Sequence, residues 1–109
     1  MNHNNSQTFI YTALPCEAKP LIDFYRLKKD VNITCFAVYR NDCICLTVTG
    51  IGKIAMAAGI AYSQALFKSI SYPVLLNIGI AGHKHYPIGS LFLVDKISDI
   101  SDATQNHTR

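Results

Sequence analysis

The sequence predicts an α/β fold, a mixed β-sheet flanked by helices, and three observations carry that prediction. Short runs rich in β-formers alternate with segments whose apolar residues recur at helical spacing. One connection, Arg40-Asn41-Asp42, has the length and composition of a hairpin turn. Half of the 109 residues are apolar (50%) and only 16% are charged, against roughly 25% charged in average soluble domains.

Met1 to Gln7 is polar and Asn-rich and is expected to be a disordered leader, followed by a single unit over residues 8–109. Thr8 to Ala13 reads as the first strand. Cys16 to Lys28 places Ala18, Leu21, Ile22 and Tyr25 at helical spacing, and Pro20 falls early enough for its missing N–H to be tolerated. Ile33 to Tyr39 and Cys43 to Thr49 read as antiparallel strands. Gly50-Ile51-Gly52 ends the second of them and opens an Ala-rich helix from about Lys53 to Lys68. That helix carries no charge between its two lysines, so both of its faces are expected to be covered.

Val74 to Gly79 follows Pro73 as an apolar strand of central type, and Ser90 to Ile97 as a further strand. The loop Ile80 to Gly89 between them is too short for a helical crossover. A very apolar chain of this length buries a limited share of its surface, so the sequence reads as dependent on more protein.

The composition disfavours several classes. The ten Lys and Arg are spread thinly from Lys19 to Arg109 with no basic stripe interleaved with aromatics, which argues against nucleic-acid binding. The N-terminus shows no basic flank leading into an apolar core, so a cytoplasmic location is expected. Ile54 to Phe67 is too short to span a bilayer and holds Ser63 and Gln64. The four cysteines, Cys16, Cys35, Cys43 and Cys45, form no CxxC pair and are expected to be reduced, packed thiols. His83 with His85 and Cys43 with Cys45 lack a partner pair at metal-binding spacing, so no metal is expected.

Three features could carry chemistry. Glu17, the only glutamate, stands at a predicted helix start. A carboxylate there complements the helix dipole, and one so held can also orient or deprotonate a water. Gly50 to Ala55 satisfies the loose GxGxx(G/A) dinucleotide pattern in strand-to-helix context. However, no acid occurs between Asp42 and Asp95 to hold a ribose, so no dinucleotide cofactor is expected. Asn77-Ile78-Gly79-Ile80-Ala81-Gly82 ends a strand in small residues, where a ligand can approach backbone amides or where the chain merely softens as it leaves the sheet.

Three blocks, Ala13-Leu14-Pro15-Cys16-Glu17-Ala18, Thr49-Gly50-Ile51-Gly52-Lys53, and Asn77 to Gly82 with Ile88-Gly89-Ser90 beyond, occur in an order that resembles one family. That family is the purine nucleoside phosphorylase and methylthioadenosine/S-adenosylhomocysteine nucleosidase superfamily. The resemblance spans about Thr8 to Asp99 and implies a phosphorylase-like mixed sheet, cut short of the full family domain.

By resemblance, Glu17 would position the attacking water, and Ala13, Ile51, Ile80, Ala81 and Gly82 would line the substrate pocket. The family commonly has Ser or Thr where Ile80 stands, and often glycine where His83 stands. Its leaving-base acid comes from a C-terminal half that Asp95, Asp99 and Asp102 do not match. The resemblance therefore implies cleavage of the N-glycosidic bond of a purine nucleoside or adenosyl compound, with this chain alone not turning over. The alternative is a noncatalytic nucleoside-binding or oligomer-forming module. Arg26, Arg40 and Arg109 match no phosphate motif, which favours hydrolysis. Homo-oligomerisation is expected by analogy with the family.

Overall fold

The computed structural model describes residues 6–67, 72–81 and 84–98. The elements are β1 (Ser6–Thr12), α1 (Pro15–Tyr25), β2 (Lys28–Lys29), β3 (Ala37–Arg40), β4 (Ile44–Val48), α2 (Lys53–Leu66) and β5 (Tyr72–Asn77). They build a five-stranded sheet in the order β2-β3-β4-β1-β5. β1 is parallel to both β4 and β5, while the β2–β3 and β3–β4 pairs are antiparallel. The expectation of a mixed α/β sheet with two helices is met.

The alternation of side chains along β1 sorts the core into two layers. Phe9 and Tyr11 join Val38 and Cys45 on one face, against Met56, Ile60 and Phe67 of the α2 segment. Ile10 and Leu46 join Ala18 and Leu27 on the other, against Leu21 and Ile22 of α1. The sheet is thus sandwiched between the two helices.

Within these layers the Tyr11 hydroxyl is paired, whereas the buried hydroxyls of Thr12 and Thr47 find no hydrogen-bond partner among the described residues. Tyr11 donates its hydroxyl to Ser63 Oγ (3.1 Å) and accepts from Gln64 Nε2 (2.9 Å). This accounts for two polar residues in an otherwise apolar helix, because a buried phenol without partners would cost about 1–3 kcal/mol.

Several boundaries differ from expectation. β1 begins at Ser6, inside the stretch read as leader. α1 stops at Tyr25 because Arg26 turns left-handed (φ 55°) and Leu27 N–H closes on Ile22 O (3.0 Å). Lys28–Lys29 are thereby released from the helix and pair with Arg40 and Tyr39. The hairpin turn is held by Asn41, whose Oδ1 accepts from the N–H groups of Cys43 (2.8 Å) and Ile44 (2.7 Å). β3 starts only at Ala37: Asn32 and Ile33 give their N–H groups to a turn on Asp30, and Asp30 N–H reaches across to Val38 O (2.8 Å).

The larger corrections concern the apolar surface. β5 lies at the sheet edge and not in the centre, and Val74, Leu75 and Leu76 are all more than two-fifths exposed. α2 buries only Gly59 and Ser63, so its outer face is open. Residues 90–98 form no strand. Ser90 instead closes a turn onto the Pro87 carbonyl through its N–H (3.2 Å) and its hydroxyl (2.7 Å), and Tyr86 packs edge-on against Phe92. Leu91 and Leu93 are almost wholly exposed.

Of the cysteines, all four of them free, only Cys45 is packed. Cys16, Cys35 and Cys43 are exposed, because they fall at a helix start or in turns and not on inward strand positions. No described helix is long and apolar enough to cross a membrane.

Candidate functional site

The path of the chain marks one place where a ligand would sit. β1 leads into α1 on one face of the sheet, and its parallel neighbour β4 leads into α2 on the other. Helices departing to opposite faces open the sheet at the carboxyl ends of the two strands, the switch point where α/β sheets bind ligands. The carboxyl end of β5 lies beside that of β1, on the side away from β4. The chain leaving β1, the chain leaving β4 and residues 77–80 therefore reach the same end of the sheet.

Glu17 is the third residue of α1. Its Oε1 accepts from the backbone N–H groups of Ala13 (3.1 Å) and Leu14 (2.9 Å). Leu14, the N-cap, has no side-chain acceptor to offer in return, so Glu17 N–H bonds to the Leu14 carbonyl (3.1 Å). This is half of a capping box, in which the acid satisfies the amides and a main-chain carbonyl stands in for the missing cap. The other oxygen, Oε2, accepts from Ile80 N–H at 3.0 Å.

The backbone hydrogen bond from Leu14, aided by those from Ile80 and Ala13 and opposed by desolvation, holds the Glu17 carboxyl below its ordinary value of 4.5. It is therefore ionised at neutral pH and a weak base. Orientation and charge stabilisation suit it better than deprotonation of a resting water.

The turn after β4 is tied to the same place. Gly50 N–H donates to Ala13 O (3.0 Å) and Thr49 N–H to Thr12 O (2.9 Å). Gly50 and Gly52 both have positive φ, 96° and 99°, which is why the chain needs glycine on each side of Ile51. Ile51 itself is 78% exposed, as is Ile80.

Ala13, Glu17 and Ile80 are thus brought into direct hydrogen-bonded contact through their main chain or carboxylate. Ile51 reaches the cluster by way of Gly50. Ala81 is exposed on the β5 exit, and Gly82 lies outside the described residues, as does His83. Gly79 needs no glycine for steric reasons, since a Cβ there would lie 3.6 Å from Glu17 Oε2, an ordinary contact.

Thr49 and Gly59 play a part that the sequence reading missed. Thr49 Oγ1 bonds to Gly50 O (3.0 Å), and α2 crosses so close that a Cβ on Gly59 would fall 2.5 Å from Thr49 Cγ2. The available signal was a lone glycine within an Ala-rich helix.

A separate cavity of about 450 Å³, with Lys29, Cys35 and Phe36 on its wall, opens at the β2–β3 end of the sheet, away from Glu17. Among the described residues no group of three His, Cys, Asp or Glu could hold a metal ion. Comparison with family models, with curated proteins and with solved structures finds no match to this chain.

Proposed function

We propose that the chain binds a purine nucleoside or a related adenosyl compound at the carboxyl ends of β1, β4 and β5, and contributes Glu17 to hydrolysis of its N-glycosidic bond. The observation that carries the reading is an ionised carboxylate, tied by amides from two strand exits, at the switch point of the sheet.

In such a cleavage the C1′–N bond breaks with its electron pair passing to the base, which takes up a proton. Positive charge gathers on the sugar, and a nearby carboxylate stabilises it. Water bonds to C1′ and surrenders its proton. A water already bonding to a cationic sugar is strongly acidic, so even the weak base Glu17 can receive that proton. The acid that protonates the departing base belongs, by the family resemblance, to a C-terminal half. The reading accordingly expects binding from this chain and turnover only in company with that half.

Water is favoured over phosphate as acceptor by where the two described arginines lie, Arg109 being outside the described residues. Arg40 pairs with Asp30 at 3.0 Å and stands opposite Cys45, near the amino end of β4. Arg26 caps the far end of α1 from Glu17. A phosphate site would need such a fork beside the carboxylate.

The second reading, a noncatalytic nucleoside-binding or oligomer-forming module, is favoured by one observation. Ile80 is exposed and its side chain offers no hydroxyl to a ribose or a water. A cytoplasmic location and self-association belong to the same proposal.

The test is purine release from adenosine, inosine and methylthioadenosine, with and without phosphate, alongside calorimetric titration of each nucleoside. Binding that weakens in a Glu17→Ala variant supports the nucleoside site. Release without added phosphate, abolished in the variant, extends it to hydrolysis by this chain. Absence of binding by any of the three removes the reading.

A further inference from the structure

The resemblance places a side-chain hydroxyl where this chain has Ile80, and the exposed Ile80 side chain supplies none. The structure offers a different group at that position. Ile78 N–H donates to Tyr11 O (3.0 Å), so the β1–β5 ladder continues one residue past β5. Two residues further on, the N–H of Ile80 turns toward the start of α1. There it meets Oε2 of Glu17 at 3.0 Å. Oε1 is meanwhile fixed by two amides of the β1–α1 turn.

We infer that the main-chain N–H of Ile80 is a positioning group for Glu17, fixing the second carboxylate oxygen while the residue's own side chain stays free toward the ligand side. The inference deepens the nucleosidase reading, in that it names what aims the carboxylate, and it has a readout that does not depend on turnover. The hold on Glu17 then survives any side chain at position 80 that leaves an N–H behind. Proline is the one replacement that removes it.

Because Glu17 is the only glutamate, selective ¹³C-carboxyl labelling of glutamate gives one side-chain carboxyl resonance whose titration reports this group alone. The full chain would be titrated as wild type, Ile80→Ala and Ile80→Pro. The expected result is an Ile80→Ala midpoint matching wild type and an Ile80→Pro midpoint raised toward 4.5, the ordinary value. An unchanged midpoint in a folded Ile80→Pro chain overturns the inference, as does an equal shift in both variants.

Should Ile80→Pro fail to fold, the Ile80 amide resonance of the wild type decides. It must move with the Glu17 midpoint if the two are bonded, and an amide indifferent to that titration overturns the inference. Failure of nucleoside binding would leave these results untouched, so the two readings fall separately.

Discussion

Gly59 and Thr49 are packed so closely that a single methyl group on the glycine would lie 2.5 Å from Thr49 Cγ2 and 3.1 Å from its Cβ. Thr49 cannot simply rotate away, because its hydroxyl is engaged with the Gly50 carbonyl. Overpacking of this kind costs about 1–3 kcal/mol, while alanine in a helix gains about 1 kcal/mol over glycine. The Gly59→Ala variant is expected to lose up to about 2 kcal/mol net in urea unfolding. Adding Thr49→Ser, which removes the methyl and keeps the hydroxyl, should recover most of the loss.

Glu17 makes stability depend on pH in a known direction. Its folded pKa lies below 4.5, so the ionised form is favoured by folding. The stabilisation is fully present above the unfolded value and is lost as pH falls through the folded one. Glu17→Gln should lower the unfolding free energy at pH 7 by about 1 kcal/mol or less, as for a partly exposed helix-terminal acid. The difference between wild type and variant should shrink on acidification below 4.5, and a gap that stays constant with pH would refute the ionised role.

Thiol reactivity separates the cysteines. Burial pushes the Cys45 thiol up to about 11, despite the opposing influence of Arg40. Cys16, Cys35 and Cys43 are exposed. Titration of the native chain with an aromatic disulfide at pH 8 should modify three thiols quickly and the fourth only on unfolding. Four fast thiols would mean that β4 is not buried between the helix layers.

Apolar surface on β5 and the residues beyond it should drive self-association. Val74, Leu75 and Leu76 lie on an edge strand whose outer side no described strand covers. Light scattering should show mass rising with concentration, and Leu75→Lys should suppress the rise. A monomer at all concentrations would count against this face as a contact surface.

Much of the architecture was legible before the structure. Hairpin, strand-to-helix turns and helix starts all announce themselves through local residues: Asn41 in a turn, Gly50 and Gly52 between a strand and a helix, Glu17 in a first helical turn. What escaped is set by neighbours distant in sequence. Nothing within Val74 to Gly79 says whether a second strand will flank it, so a central-type composition appeared at an edge. The run Ser90 to Ile97 has strand-like residues, yet a strand exists only with a ladder partner. In the site, Glu17 was legible as a lone acid at a helix start. Its partner was not, because the Ile80 group that meets it is a backbone amide, invisible in any side-chain pattern.

The arrangement of β1 also fixes an order of events. β1 is the first strand made, yet its register joins Thr8 to Ile44 and Ser6 to Tyr72. Both ladders must close long loops before they return any hydrogen bonds, which is the slow class of contact. The β3–β4 hairpin needs only a three-residue connection and can form microseconds after its residues are available. On a ribosome, β1 would therefore wait, with Phe9, Ile10 and Tyr11 unpaired on both edges until Val48 emerges and on one edge until Asn77 has cleared the exit tunnel. During that interval, chaperone contact would be most useful to the apolar residues of β1.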